Sequence, residues 1–343
     1  MSDWWIYPIF GAFLLSVILT DVFRQLAIRF DFLDRPTKKR KKHLFAVPTL
    51  GGVAIFFAFL IPTLIVLAHT DHFTSGEIEI RHFMGFFAGA AILIIGGLLD
   101  DKLDLSPKYS IIFPVAAALI AAIVGIGPSK ITNPLGGAFE IVETAAFIFT
   151  FIWLLGMSYT TKLLDGMDGL ATGVTAIGTF MIALLALSAA YFQPDVALLA
   201  LIAFAALIGF LMWNFHPAQI FLGEGGSTYI GYLLGTIAII SGSKVATALL
   251  VVGIPAFDIV FVITQRILKG KPIFVGDRLH LHHKLFDIGF SQRQIVIFYY
   301  CIAIVFGLTT LIFASWQKLI ALFILFVLMF FASILIGRNK RNI

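Results

Sequence analysis

The chain has 343 residues, of which 60% are hydrophobic and only 13% are charged. A soluble globular domain carries about 25% charged residues, and the mean hydropathy of this chain is +1.00. The composition therefore excludes an ordinary soluble domain and predicts an integral membrane protein. The single cysteine, Cys301, excludes a disulfide framework and a cysteine-based metal site within the chain.

A membrane-spanning helix needs about 20 mostly apolar residues. Eleven stretches of the chain meet this requirement, at 4–23, 50–69, 82–99, 109–127, 142–161, 170–191, 195–213, 226–242, 245–266, 294–314 and 317–337. We therefore expect an all-α polytopic membrane protein, with residues 1–343 forming a single transmembrane domain.

Lysine and arginine are concentrated on one side of this topology. With eleven crossings, 20 of the 24 Lys and Arg residues fall on the side that carries the C-terminus. Cytoplasmic loops are enriched in these residues, so we expect an outside N-terminus and a cytoplasmic C-terminus. The basic run 38–42 suits anionic lipid headgroups, so the pI of about 9.3 does not indicate a nucleic-acid partner.

The loops with unusual chemistry all fall on this predicted cytoplasmic side. They are 31–49, 100–108, 162–169, 214–225 and 267–293, whereas the outer loops are short or ordinary. Polar residues gathered on one face of a membrane protein indicate a site on that face. We therefore expect a functional site at the cytoplasmic surface.

Two carboxylates, Asp165 and Asp168, lie three residues apart between two long apolar segments. On a helix such residues share a face, so both carboxylates could point at one ligand. Gly166 and Gly169 would let a backbone or a ligand approach closely. The alternative is that the aspartates only cap the next helix. Acids beside a spanning segment are costly unless they are used, which favours function.

Asp100 and Asp101 follow one another at the inner end of the third predicted helix. Adjacent carboxylates repel each other, and an acid at a helix C-terminus is unfavourable. Tolerating both indicates a cation or a positive substrate group nearby. The alternative is a solvated helix end.

Three of the eight histidines fall within the run His280-Leu281-His282-His283. Arg278, Lys284 and Arg293 accompany them. Imidazole and guanidinium donors suit phosphate oxygens, so a phosphate-binding loop is favoured. A solvated loop and a metal site without catalysis are the alternatives.

Glu224 lies in a glycine-rich turn before the eighth predicted helix, a natural place for an anion. Its carboxylate could bind a cation or pair with Lys162. Asp258 and Asp21 fall inside predicted spans, where an acid is a functional candidate by default. An ion pair within the bundle is the alternative for both.

Together these motifs closely resemble the polyprenyl-phosphate N-acetylhexosamine-1-phosphate transferases of glycosyltransferase family 4, nearest to the WecA/TagO-like branch. The resemblance runs nearly from end to end. It covers Asp34-Arg35-Pro36, Pro48-Thr49-Leu50-Gly51-Gly52, Leu99-Asp100-Asp101, Leu164-Asp165-Gly166-Met167-Asp168-Gly169-Leu170, Phe221-Leu222-Gly223, Pro255-Ala256-Phe257-Asp258, His280-Leu281-His282-His283 and Gly289-Phe290-Ser291.

The resemblance implies transfer of N-acetylhexosamine 1-phosphate, by family default that of N-acetylglucosamine, from a UDP-sugar to undecaprenyl phosphate, with release of UMP. This reaction initiates cell-envelope glycan synthesis at the cytoplasmic face of a bacterial-type inner membrane. The implied partners are the UDP-sugar, the polyprenyl phosphate and membrane lipids. The sequence leaves the oligomeric state open, with a homodimer as one option.

The resemblance also assigns roles to residues. The implied catalytic residues are Asp100, Asp101, Asp165 and Asp168. The implied substrate-binding residues are Asp34, Arg35, Lys162, Arg278, His280, His282 and His283. The implied cofactor is Mg²⁺, with Glu224, Asp100 and Asp101 as the candidate ligands.

Two positions depart from the family pattern. The family usually has Asn where this chain has Lys162, and Asp where it has Glu224; both positions approach the Mg²⁺ that bridges the pyrophosphate. We therefore expect Lys162, held by Glu224, to replace part of the metal's function. The alternatives to an active transferase are a catalytically degenerate family member, a transporter of an anionic solute, and a scaffold or sensor.

Overall fold

The computed structural model describes residues 3–35, 46–76, 78–128, 130–132, 138–189, 191–240, 245–268, 270 and 280–339. The helices are α1 (Ile6–Arg29), α2 (Gly51–His69), α3 (Ile80–Leu103), α4 (Pro107–Ser110), α5 (Ile112–Ile123), α6 (Glu143–Leu164), α7 (Leu170–Leu187), α8 (Pro194–Asn214), α9 (Gly223–Ile240), α10 (Val245–Val251), α11 (Gly253–Leu268), α12 (Leu281–Asp287), α13 (Gln292–Ile312) and α14 (Ser315–Asn339). Each of the eleven apolar stretches found in the sequence lies mainly in one helix or in a consecutive pair.

Seven of these helices, among the described residues, are long and apolar enough to cross a membrane by themselves. They are α1, α2, α3, α6, α7, α8 and α13. The pair α10 and α11 meets the same test jointly, although the two helices are bent by 79° relative to each other. These helices confirm an all-α polytopic membrane protein. A helix suits the membrane because its backbone hydrogen bonds are all made within one segment.

The described chain also contains two short antiparallel ribbons. Leu33–Asp34 (β1) pairs with Val47–Pro48 (β2), and Lys130–Thr132 (β3) pairs with Ala138–Glu140 (β4). The hydropathy pattern did not predict either ribbon, because each strand has only two or three residues. The first ribbon matters for the site, since it contains Asp34 and leads into the start of α2.

The helix α9 lies at the centre of the bundle. It packs against α2, α3, α6 and α7, and the unbroken run 225–239 is buried. This position explains why the eighth predicted span is short and rich in glycine. A helix that contacts protein on all sides has no lipid face, so it needs small residues for close packing more than bulky apolar ones.

The periphery has the opposite character. The helix α1 exposes Tyr7, Phe10 and Ile18, and α14 exposes Phe323 and Phe331. Large apolar side chains on an outward face suit contact with lipid. The bundle thus has an enclosed, glycine-rich centre and a bulky apolar rim.

The helix ends that carry the charged motifs meet at one end of the bundle. They are the C-terminal ends of α1, α3, α6 and α8 and the N-terminal ends of α2, α7, α9 and α13. Contacts between these ends and the adjoining loops join them, such as the hydrogen bond from Lys102 Nζ, near the end of α3, to the carbonyl of Phe30, directly after α1, at 2.9 Å. The structure therefore gathers the predicted loops, as far as it describes them, into one region.

Candidate functional site

Backbone contacts between two glycine-bearing motifs form the base of the site. The Phe221 N–H donates to the Pro48 carbonyl at 2.7 Å, and the Gly51 N–H donates to the Phe221 carbonyl at 3.0 Å. Gly223 takes a φ of +77° at the first residue of α9, a conformation that glycine adopts without strain. The Pro48–Gly52 and Phe221–Gly223 motifs are thus one structural unit, although some 170 residues separate them.

Glycines also allow the helices of this unit to touch. A β-carbon added to Gly97 in α3 would collide with the backbone of Gly225, and one added to Gly52 in α2 would collide with Gly226. Both contacts place the first turn of α9 directly against its neighbours. This close approach positions the carboxylates of α3 beside Glu224.

The first half of the site, the lysine–glutamate half, comprises Asp100, Asp101, Lys162 and Glu224. Lys162 Nζ lies 2.6 Å from Glu224 Oε2, so the predicted pairing of these residues is present. The Asp101 carboxylate accepts the Glu224 N–H at 3.2 and 3.3 Å, which satisfies one of the free backbone donors in the first turn of α9.

Asp100 and Asp101 diverge, as expected for adjacent helical residues. Asp100 accepts hydrogen bonds from the Leu105 N–H, at 3.1 Å, and from the Ser110 hydroxyl. The Asp100 carboxylate thus closes the turn between α3 and α4. It also lines a groove with Lys162 and Glu224, so it has both a structural contact and access to a ligand.

Asp165 lies between the two halves of the site. Within the described part of the chain, its carboxylate accepts no hydrogen bond, in contrast to the other aspartates here. Burial and the negative charges of Glu224, Asp168 and Asp101 raise the pKa of Asp165 well above its ordinary value. Asp165 is therefore an acid whose charged form is disfavoured by its surroundings, as is often the case for a functional group.

The second half of the site, the histidine half, comprises Asp168, His216, His280, His282 and Arg293. His216 Nδ1 donates to Asp168 Oδ2 at 2.6 Å, and the Ala218 N–H donates to the same oxygen at 3.1 Å. Arg293 Nε donates to the His216 carbonyl at 3.2 Å. His216 escaped the sequence analysis because it is a single histidine with no other polar group beside it.

The segment 165–169 is a turn, not a helix, so the expected shared helical face of Asp165 and Asp168 is wrong. Gly169 takes a φ of +76°, which interrupts the helix between α6 and α7. No side chain caps α7, so the alternative that these aspartates serve as its cap is not supported either. The two carboxylates of this turn instead differ in their surroundings: Asp168 accepts hydrogen bonds from His216 and Ala218, whereas Asp165 accepts none within the described residues.

Buried polar side chains hold this turn in place. Asn214, which is 2% exposed, accepts from the Gly169 N–H at 3.2 Å and donates to the Ile220 carbonyl at 3.0 Å. The Tyr300 hydroxyl donates to the Gly169 carbonyl at 2.6 Å. The sequence analysis missed both residues, because their partners are distant in the chain and no local pattern marks them.

The histidine run lies against the same turn. A β-carbon added to Gly166 would lie 2.7 Å from His282 Nε2, so the histidines and the aspartate motif share one site. The rings of His280 and His282 stack with centroids 5.8 Å apart, and those of His282 and His283 are 4.2 Å apart. Arg278 lies outside the described residues.

The intramembrane acids are paired. Asp258, which is 3% exposed, accepts from His280 Nδ1 at 2.8 Å and from the Leu281 N–H at 3.1 Å. Asp21 pairs with Arg24 at 2.8 Å. For Asp21 the structure supports the alternative of an ion pair, and Asp258 is a buried hydrogen-bond acceptor for an imidazole and a backbone N–H. Asp258 thereby orients the start of the histidine run.

The remaining predicted residues lie at the edge of the site. Arg35 pairs with Asp31 at 2.6 Å, and both side chains are exposed. Asp34 lies in β1, where its charge acts on Asp101. The structure therefore places Asp34 near the lysine–glutamate half and leaves Arg35 at the surface.

The residues expected to bind Mg²⁺ do not fit that ion in the observed arrangement. The Glu224 carboxylate contacts the Lys162 ammonium, and the Asp101 carboxylate accepts the Glu224 N–H. The Asp100 carboxylate accepts a hydrogen bond within the turn between α3 and α4. Among the described residues, no group of three or more His, Cys, Asp or Glu side chains is arranged to hold a metal ion. A histidine-based metal site finds no support in these residues either.

Comparisons with known proteins agree with this picture. A family model described as glycosyl transferase family 4 matches residues 83–242. This range includes Asp100, Asp101, Lys162, Asp165 and Glu224.

Curated relatives extend the similarity over most of the chain. A Bacillus subtilis protein named a probable undecaprenyl-phosphate N-acetylglucosaminyl 1-phosphate transferase is 33% identical over 335 residues, which cover 94% of this chain and 90% of that protein. A Mycobacterium tuberculosis decaprenyl-phosphate N-acetylglucosaminephosphotransferase is 26% identical over 316 residues, which cover 84% of this chain and 77% of that protein. A Bacillus pumilus phospho-N-acetylmuramoyl-pentapeptide-transferase is 28% identical over 319 residues, covering 85% and 92%.

Proposed function

Because the chain belongs to the polyprenyl-phosphate N-acetylhexosamine-1-phosphate transferase family, we propose that it transfers N-acetylglucosamine 1-phosphate from a UDP-sugar to a polyprenyl phosphate. The chain is thus a phosphoglycosyltransferase. The observation that carries the proposal is the meeting of the charged ends of α3, α6 and α9 with the histidine run at one end of an apolar bundle.

The groove beside the lysine–glutamate half suits a substrate with an apolar tail and a phosphate head. Its lining combines apolar residues and glycines with polar and charged residues: Leu93, Gly96, Gly97, Phe113 and Pro114 with Ser110, Thr228, Asp100, Lys162 and Glu224. A polyprenyl tail gains about 0.8 kcal/mol for each buried CH₂ group. We propose that the acceptor phosphate reaches Lys162 from this groove.

The reaction is a displacement at the β-phosphorus of the donor. An oxygen of the acceptor phosphate forms a bond to this phosphorus, the bond to the bridging oxygen breaks, and the bonding electron pair leaves with UMP. The product is a polyprenyl diphosphate sugar. A phosphate monoester with a second pKa of about 6 is mostly dianionic at neutral pH, so the acceptor needs little activation, and one step suffices.

Asp165 is the residue that we propose to handle the acceptor's proton. Burial and neighbouring carboxylates raise the pKa of Asp165, which makes it a stronger base than an ordinary aspartate and favours proton uptake. Asp165 would take the second proton of the fraction of acceptor that binds as a monoanion.

The histidine half is proposed to hold the donor. Phosphate oxygens accept hydrogen bonds from imidazole and guanidinium groups, and His282 lies directly against the turn that carries Asp165. Asp168 accepts hydrogen bonds from His216 and Ala218, and its other carboxylate oxygen can accept one from the nucleotide or the sugar.

We also propose that this site faces the cytoplasm in an eleven-crossing topology. The bias of 20 of the 24 Lys and Arg residues toward one side supports this orientation. So does the alternation of N- and C-terminal helix ends at the site. Fusing a reporter that is active only in the cytoplasm to residue 343 tests the proposal, and a signal only from the opposite side would contradict it.

The proposed activity is tested by UMP release from the purified full-length protein. The assay contains UDP-N-acetylglucosamine and undecaprenyl phosphate, and its control omits the lipid. We expect UMP only when the lipid is present. No UMP with this donor or with a panel of other UDP-sugars would contradict the proposed function.

A further inference from the structure

The lysine–glutamate half contains an ammonium group within a cluster of carboxylates. Lys162 and Glu224 are in contact at 2.6 Å, and the charge of Asp100 also acts on Lys162. Asp101 and Asp165 lie close enough to Glu224 for their charges to interact. Without Lys162 this cluster would contain only acidic groups, and two phosphate-bearing substrates could not approach it easily.

Lys162 is held firmly at this position. The neighbouring Thr161 hydroxyl donates to the Ser227 carbonyl of α9 at 2.7 Å, which joins α6 to α9 directly beside the ion pair. The Tyr159 ring lies 5.9 Å from Lys162 Nζ. A cation in the last turn of α6 also interacts favourably with the helix dipole. The ammonium is therefore a fixed part of the site and not a mobile surface charge.

The same geometry competes with a divalent ion. A Mg²⁺ ion requires oxygen ligands at about 2.0–2.1 Å in octahedral geometry, whereas Glu224 Oε2 already contacts Lys162 Nζ. A second positive charge at this oxygen would be repelled by the ammonium. An ammonium carries three N–H donors. Lys162 contacts Glu224 and also lines the groove.

We propose that Lys162, anchored by Glu224, supplies the positive charge that the transferring phosphates contact, in place of a divalent metal ion at Glu224. This inference rests on the proposed transferase function. In the reaction the ammonium donates hydrogen bonds to non-bridging phosphate oxygens and keeps all its protons. Bond formation at the β-phosphorus and departure of UMP then proceed as written above.

Metal binding tests this inference without an activity assay. Mn²⁺, a spectroscopic substitute for Mg²⁺, is titrated into the detergent-solubilised full-length protein, and free ion is measured by electron paramagnetic resonance. Wild type should bind Mn²⁺ weakly at this site, and Lys162→Met should bind it at least ~tenfold more tightly because the competing charge is gone. Adding Glu224→Gln to Lys162→Met should abolish the gain.

Two outcomes would overturn the inference. One is Mn²⁺ binding by Lys162→Met that is no tighter than that of wild type. The other is tight binding by wild type that Glu224→Gln alone removes. Lys162→Arg is the matched control, because it keeps the charge and should bind Mn²⁺ as weakly as wild type.

UMP release in EDTA tests the catalytic part. Wild type and Lys162→Arg should remain active in EDTA, whereas Lys162→Met should lose at least ~100-fold in rate, and Mg²⁺ should restore part of it. Wild-type activity that disappears in EDTA and returns with Mg²⁺ would refute the inference. If no variant releases UMP under any condition, the proposed function fails, and the Mn²⁺ titration still decides whether Lys162 excludes a metal ion.

Discussion

The two halves of the site are assembled in different ways. In the lysine–glutamate half, backbone meets backbone, because Gly97 and Gly52 let α3 and α2 touch the first turn of α9. In the histidine half, side chains join the loops, with Asn214 and Tyr300 holding the turn that carries Asp168. Close backbone packing tolerates no added atom, whereas a hydrogen-bonded side chain can be removed with partial loss.

The difference also concerns charge. The lysine–glutamate half contains a fixed ammonium beside its carboxylates. In the histidine half, Asp168 and the neighbouring Asp258 each accept hydrogen bonds from an imidazole and a backbone N–H. Asp165 lies between them and has neither kind of partner among the described residues. We therefore expect the largest functional effect at Asp165 and smaller effects in the two halves.

At a pH below the second pKa of the acceptor phosphate, about 6, the acceptor is mostly a monoanion. There Asp165→Asn should reduce UMP release by about 10²–10⁴-fold, the usual range for loss of a proton-transfer group. The variant keeps the size of the side chain and removes its charge. Glu143→Gln, at the exposed opposite end of α6, is the matched control and should remain within about twofold of wild type. Activity of Asp165→Asn close to that of wild type would remove Asp165 from the mechanism.

Stability should respond to Asp165→Asn in the opposite direction. The pKa of Asp165 is raised in the folded state. The stability that the protonated carboxyl provides is therefore present below its ordinary pKa and is lost as the pH rises through the raised value. At neutral pH the neutral Asn should leave the melting temperature unchanged or higher. A clear fall in Tm would instead indicate that the variant loses activity through misfolding.

Gly97→Ala tests the backbone contact of the lysine–glutamate half. Its β-carbon would collide with Gly225, so we expect a loss of about 3 kcal/mol in the free energy of unfolding, the upper end for an overpacked core. Gly156→Ala is the matched control in α6, because a β-carbon there meets nothing within 4 Å. Thermal unfolding in detergent compares them, and equal melting temperatures would contradict the packing argument.

The sequence was sufficient to predict the helices and most of the charged residues of the site, for a physical reason. Long apolar runs specify spanning helices, and acids or glycines at their ends are conspicuous because lipid tolerates them poorly. Asp101, Lys162 and Glu224 were identified in this way, including the pairing of the last two. Hydropathy indicates α9 only weakly, since a helix enclosed by protein does not need a lipid-compatible surface.

The histidine half could not be predicted to the same extent. His216, Asn214 and Tyr300 act on partners 48, 45 and 131 residues away, and no periodic pattern marks such pairs. The turn at 165–169 was also misinterpreted as helical, because residue spacing does not show that Gly169 takes a positive φ. Contacts between loops follow from the packing of the bundle and are not encoded locally.

Asn214→Ala tests the side-chain contact of the histidine half. It leaves the Gly169 N–H and the Ile220 carbonyl without their buried partner, at an expected cost of about 2 kcal/mol in stability. Thr172→Val removes one hydrogen bond to the same Asn214 and should cost about 1 kcal/mol. Chemical denaturation measures both. A loss for Asn214→Ala no larger than that for Thr172→Val would contradict the bridging role.

His216→Gln should have the smallest effect, about a tenfold fall in kcat/KM for UMP release. The change removes the imidazole that holds Asp168, but the Ala218 N–H still donates to the same carboxylate oxygen at 3.1 Å. Asp168 should therefore remain near its position with less constraint on its orientation. A loss of activity in His216→Gln as large as that in Asp168→Asn would contradict this expectation and indicate that the imidazole itself contacts the substrate. The histidine half would then depend on His216 as strongly as the lysine–glutamate half depends on Lys162.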